Sequence, residues 1–156
     1  MDIKKFINKE LAIKQFITDG NTNGGASLNL NTGEYNPTQG YFVSFSGKEM
    51  IVNDLNTKTV LNYIQTHARA LAEINSFLGC WKHEGKFYLD VSEQITDLES
   101  SVYHGMKRGQ KAIFDAGRGK SLYIPAAQNA GTETQRETYA KYAAQKFTES
   151  YKSKIK

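Results

Sequence analysis

Five cations, Lys107, Arg108, Lys111, Arg118 and Lys120, fall within fourteen residues of this chain and face a single acid, Asp115. Positive side chains at that density suit phosphates, carboxylates or an acidic protein face. The aromatic residues Tyr103, Phe114 and Tyr123 stand among or beside them, and rings next to cations suit the unstacked bases of a single strand. The plainer reading is local: cations at a helix C-terminus, where the backbone dipole favours them, followed by a polar turn. Residues 1–78 carry seven bases and seven acids, whereas residues 79–156 carry thirteen and nine, so the formal charge of +4 lies in the second half.

Other chemistry finds little support in the residue pattern. The chain has no phosphate-cradling loop, no HExxH, no CxxC and no serine nucleophile elbow. Gly117-Arg118-Gly119 sits in a predicted turn between two strands, so its amides are not organised by a helix N-terminus. The acids Glu84, Asp90, Asp97 and Asp115 are scattered across turns and strand ends. A metal-dependent nuclease would need several of them to converge. His67 lies on an apolar stripe with no second ligand at metal spacing, which suits a core histidine. Cys80, the only cysteine, lies between Gly79 and Trp81 and reads as a small buried hydrophobe. The expectation is a binding protein with no catalytic residue, metal site or cofactor. A metal-dependent nuclease is the residual enzymatic alternative.

The elements that must position the basic cluster follow from periodicity. A helix is predicted over about 2–17, with Ile3, Phe6, Ile7, Ile13, Phe16 and Ile17 as its apolar residues, and Asp19–Gly25 reads as a loop. Strands are predicted at Ala26–Leu30, Tyr41–Ser46 and Lys48–Val52, the last two joined at Gly47. Val60, Ile64, His67, Leu71, Ile74 and Leu78 recur at spacings of four and three. They predict one helix over about Thr57–Leu78, capped by Asp54 or Asn56 and ended by Gly79. A hairpin follows, Gly79–Lys82 with Lys86–Ser92 about His83-Glu84-Gly85. Thr96 and Glu99 match a capping box for a short helix with Leu98, Val102 and Met106 on its apolar face and His104 off it. The last hairpin pairs Lys111–Phe114 with Ser121–Ile124 and stops at Pro125. A final helix over about 132–155 opens with Thr134 and Glu137 as a second capping box. Tyr139, Ala143, Phe147, Tyr151 and Ile155 recur four apart along it, and the YKSKIK end is expected to fray.

These elements predict an α+β fold in one domain, residues 1–156. Consecutive short hairpins form an antiparallel sheet with three to four helices largely on one face, and the core spans about 26–124. The length suits one domain, and 39% hydrophobic residues with eight Phe and nine Tyr suit a folded one. Apolar runs are too short for a membrane span, MDIKKFINKE lacks a signal peptide's apolar stretch, and a lone cysteine fits a reducing compartment. Cytoplasmic localisation is expected.

One set of motifs carries a resemblance. Ser27-x-Asn29-x-Asn31-Thr32-Gly33, Gly40-Tyr41 with Val43-Ser44, Gly79-x-Trp81, Tyr88-Leu89-Asp90-x-Ser92 and Gln110-x-Ala112-Ile113-x-Asp115 cover about Ala26 to Ile124. As a set they resemble small accessory proteins of phages and other mobile elements. The resemblance implies an anti-defence role, including inhibition of restriction or CRISPR systems by binding, in the cytoplasm of a bacterial host. The implied partner is a bacterial defence protein or its nucleoprotein complex. A basic chain does not suit mimicry of DNA, so the expected target is an acidic protein face or the nucleic acid held in an effector channel. The alternative is a single-stranded nucleic-acid-binding accessory protein. In both cases Lys107, Arg108, Lys111, Arg118 and Lys120 are the expected contact residues.

Overall fold

The computed structural model describes residues 3–124 and 132–153. In chain order the elements are α1 (Ile3–Asn23), β1 (Gly25–Leu28), β2 (Tyr41–Ser44), β3 (Met50–Val52), α2 (Thr57–Thr66), α3 (Ala68–Leu71), β4 (Ser76–His83), β5 (Lys86–Ile95), α4 (Leu98–Lys107), β6 (Ala112–Asp115), β7 (Lys120–Tyr123) and α5 (Glu133–Ser153). The fold is α+β with antiparallel strand pairing. The described residues hold five helices rather than three to four. Pro125 and Ile155 lie outside them. The chain forms two compact units, Met1–Pro37 with Gly47–Ser92, and Thr38–Ser46 with Glu93–Lys156.

In the first unit α1 packs on β1 and β4, and Phe16 is fully buried. Ile3, expected on the apolar side, is exposed. The helix does not stop near residue 17 but runs through Asp19-Gly20-Asn21 to Asn23. Tertiary contacts outweigh the turn propensity of those residues. Asn21 Nδ2 donates to Ile17 O and Leu55 O, both at 2.9 Å, and Gly20 leaves the space that Leu55 and Cys80 fill. Asp19 also accepts hydrogen bonds from Tyr35 and Gln15, which lower its pKa.

The long helix predicted over Thr57–Leu78 is three pieces. Asn56 and Thr59 form a reciprocal capping box (2.9 and 3.1 Å) that starts α2. The helix breaks at His67, resumes as α3 and ends at Leu71; Leu78 belongs to β4. A loop distant in sequence ends it by binding its orphan carbonyls. Asn31 Nδ2 donates to Leu71 O and Glu73 O (3.0 and 3.3 Å), and Asn29 Nδ2 to Ile74 O (3.3 Å). Asn29 Oδ1 accepts from Asn31 N and Thr32 N, so these amides are spent on structure. Gly79 is inside β4 opposite Ser27, and a Cβ there would collide with the Asp90 carboxylate.

β2 and β3 do not form a hairpin across Gly47. β3 pairs β5, with Ile51 opposite Tyr88, while β2 pairs β6, with Tyr41 opposite Asp115. In the second unit β6 also pairs β7, with Ile113 opposite Leu122. Val43, Ile113 and Leu122 share a core with Val102 and Met106 of α4 and Ala140, Ala143 and Tyr151 of α5. Both helices therefore lie against one face of these strands. Alternation sends Phe114, Ser121 and Tyr123 to the opposite face.

Candidate nucleic-acid interface

The first three cations surround the end of α4. Asp97, rather than Thr96, caps its start by accepting from Ser100 N at 2.7 Å. At its other end Gly109, at φ +66, lets Gln110 N donate to Gly105 O (2.9 Å) and Gly109 N to Met106 O (3.0 Å). This pair of bonds is a Schellman closure. Lys107 and Lys111 are exposed beside it. Arg108 is turned inward instead. Its Nη2 lies 2.5 Å from Glu93 Oε1, its Nη1 donates to Val43 O at 3.2 Å, and its guanidinium covers the Phe45 ring at 4.1 Å. The Arg108 carbonyl accepts from Ser46 Oγ. His104 is half-buried, and burial followed by the charge of Arg108 holds its pKa below the usual value.

The other two cations belong to the turn between β6 and β7, where Asp115 is opposite Lys120. Gly119, at φ +66, donates to Asp115 O at 2.8 Å and closes the loop. The Asp115 side chain is 3% exposed and accepts from Arg118 N (3.2 Å), Arg118 Nη1 (3.3 Å) and Tyr151 Oη (3.1 Å). Arg118 Cζ stands 3.5 Å over the Tyr151 ring, and Lys120 Nζ lies 5.2 Å from it. Burial and the bond to Asp115 push the Tyr151 phenol up to about 12. Arg118 is thus partly structural, although 45% of its side chain is exposed.

The five cations do not share one patch. Arg108 reaches Val43, Phe45 and Ser46, at one end of β2. Asp115 is opposite Tyr41, and Ala116 N donates to Gly40 O (3.0 Å) at the other end. The groups are separated by the length of β6, four residues or about 13 Å.

Between them lies an aromatic surface. Phe114 is 42% exposed and Tyr123 73%, on the face of the hairpin turned away from α4 and α5. Within the hairpin their cross-strand partners, Ser121 and Ala112, are small; on its other side Phe114 is opposite Phe42 of β2, which is buried. The two rings are diagonal neighbours, about 7–8 Å apart at the backbone. Tyr103 is not part of this surface. It packs against the core and donates to Glu133 Oε1 at 2.9 Å.

The remaining chemistry-bearing residues have local duties. Glu84 is exposed in the β4–β5 turn, Asp97 caps α4, and Asp90 fills the space above Gly79. Cys80 is buried, and its pKa is pushed up to about 12 chiefly by burial. His67, expected in the core, is half-buried at the break after α2, 4.5 Å from the Tyr63 ring, with its pKa lowered by burial. Among the described residues no group of three His, Cys, Asp or Glu is placed to hold a metal ion.

Sequence reasoning missed one surface, in the first unit. Trp81, 42% exposed, stacks on Tyr88 at 4.2 Å and 13°, with His83 at 5.5 Å. The signal was present: Trp81 and His83 alternate on one strand, and Tyr88 lies on its hairpin partner. No protein-family model, curated protein or solved structure matches the chain.

Proposed function

We propose that this chain is a non-enzymatic binding protein that holds single-stranded nucleic acid across the outer face of the β6–β7 hairpin. The carrying observation is the pair of exposed rings, Phe114 and Tyr123, diagonal to each other on one face of the hairpin. Every base has a π-face, so such rings accept any sequence, at about 1–3 kcal/mol per stacked base. Cations stand at both ends of the hairpin: Lys111 before β6, and at the turn Arg118 and Lys120, which lean to the α5 side over the Tyr151 ring. They supply backbone attraction, which positions a strand without reading its sequence. The engagement of Asp115 by Arg118 and Tyr151 supports a structural rather than a catalytic carboxylate.

The biological setting we propose is that of a phage-type inhibitor of a bacterial defence nuclease, such as a CRISPR effector, in the host cytoplasm. It would act on a strand that the effector has bound or displaced. This part rests on the motif resemblance.

The test is fluorescence anisotropy of a labelled oligothymidine and a duplex of equal length, from about 50 to about 200 mM salt. We expect preference for the single strand, weakening as salt rises, and no change with chelator. Absence of binding to the oligothymidine at low salt overturns the proposal, and metal-dependent degradation of either probe overturns its non-enzymatic part.

A further inference from the structure

We propose that Tyr151 is a positioning residue that gathers Arg118 and Lys120 into a seat for one phosphate group at the turn end of β6–β7. The inference rests on the strand-binding reading and names the backbone contact within it.

Tyr151 lies near the end of α5 and is 9% exposed. Its ring is within cation–π reach, about 6 Å, of both cations, at 3.5 Å for Arg118 and 5.2 Å for Lys120. Two like charges in one turn repel each other and separate unless something holds them. The ring does so from one side, and its hydroxyl is itself fixed to buried Asp115 at 3.1 Å. Asp115 binds the backbone N and Nη1 of Arg118, so the carboxylate neutralises one of the two charges and leaves the other. The Arg118 side chain still meets solvent over 45% of its surface, and its other donors make no hydrogen bond among the described residues. A guanidinium held over a ring offers such donors as a fork to phosphate oxygens, with the ammonium as a second point charge. The end of α5 thereby becomes a working part of the phosphate contact, at the turn edge of the hairpin and not on its ring-bearing outer face.

The test uses the full chain with two probes. In wild type, inorganic pyrophosphate followed by NMR should shift the Arg118 Nε–H and the Gly119 amide saturably while leaving Lys111 unmoved. In oligothymidine binding, Tyr151→Leu should lose at least about fivefold in affinity, and its slope of log K against log salt should shrink by about one. Tyr151→Phe, which keeps the ring, should stay within about twofold and keep the slope. Pyrophosphate leaving both signals unmoved overturns the seat, whatever the oligonucleotide does. So does Tyr151→Leu with wild-type slope, or Tyr151→Phe falling as far as Tyr151→Leu. Saturable pyrophosphate binding without oligothymidine binding would keep the seat and remove the strand-binding reading instead.

Discussion

Arg108 and Glu93 are locked together at 2.5 Å, with 15% and 32% of their side chains exposed. The pair ties the end of α4 to the last residues of β5. Removing the arginine leaves Glu93 and Val43 O without their donor, and bonds to charged groups are worth about 1.5–3 kcal/mol. Arg108→Ala should destabilise by about that amount in a denaturant titration. Lysine should not restore it, because it cannot fork to two acceptors and cover Phe45. Oligothymidine affinity of the folded variant should stay within about twofold. A stable Arg108→Ala protein that binds poorly would return Arg108 to the interface.

The broken helix separates two residues that share one apolar stripe in sequence. Leu71 is 3% exposed and Ile74 is 76% exposed. Leu71→Ala should cost about 2–5 kcal/mol, and Ile74→Ala should stay within about 0.5 kcal/mol. Equal losses in urea midpoints would mean that the helix continues past Leu71.

Gly105 sets helix propensity against packing. Alanine in a helix interior normally gains about 1 kcal/mol over glycine. Here its Cβ would lie 2.6 Å from Ile124 Cδ1 and 2.9 Å from Ile113 Cγ2. The Ile124 methyl ends a flexible chain, but the Ile113 methyl is β-branched and stiff. Overpacking costs about 1–3 kcal/mol, so Gly105→Ala should lower the melting temperature. A rise would show that the core yields.

His67 and His104 both have folded pKa values below the usual 6.5, chiefly through burial. The unfolded chain therefore binds more protons, and stability falls as pH drops through 6.5 towards the folded values, then levels off. Around His104 the charges are Arg108 and Lys107, which lower its pKa, and Glu93, which raises it. His104→Gln should flatten the fall between pH 7 and about 5. An unchanged pH profile would assign the whole effect to other groups.

What was legible in the sequence followed local rules. The His83–Lys86 turn was readable because its two central residues both adopt positive φ, +51 at Glu84 and +78 at Gly85, and Gly85 signals that. The cations were visible as residues, but their division was not. Whether an arginine faces solvent depends on a partner elsewhere, here Glu93 for Arg108 and Tyr151 for Arg118. The helix ends were hidden for the same reason. Asn29 and Asn31 stop the chain at Leu71 from forty residues away, while the apolar stripe runs on into β4 without a change of period. β2 and β3 look like a hairpin because Gly47 suits one, yet their partners are β6 and β5.

The central claim is that bases stack on Phe114 and Tyr123, and one measurement bears on it most directly: oligothymidine affinity of the Phe114→Ala/Tyr123→Ala double variant at low salt. Both rings are exposed, so the melting temperature should hardly move. Two lost stacking contacts at about 1–3 kcal/mol each should weaken binding by at least about thirtyfold, with the salt slope unchanged because no cation is removed. A folded double variant that binds oligothymidine as tightly as wild type would contradict the account.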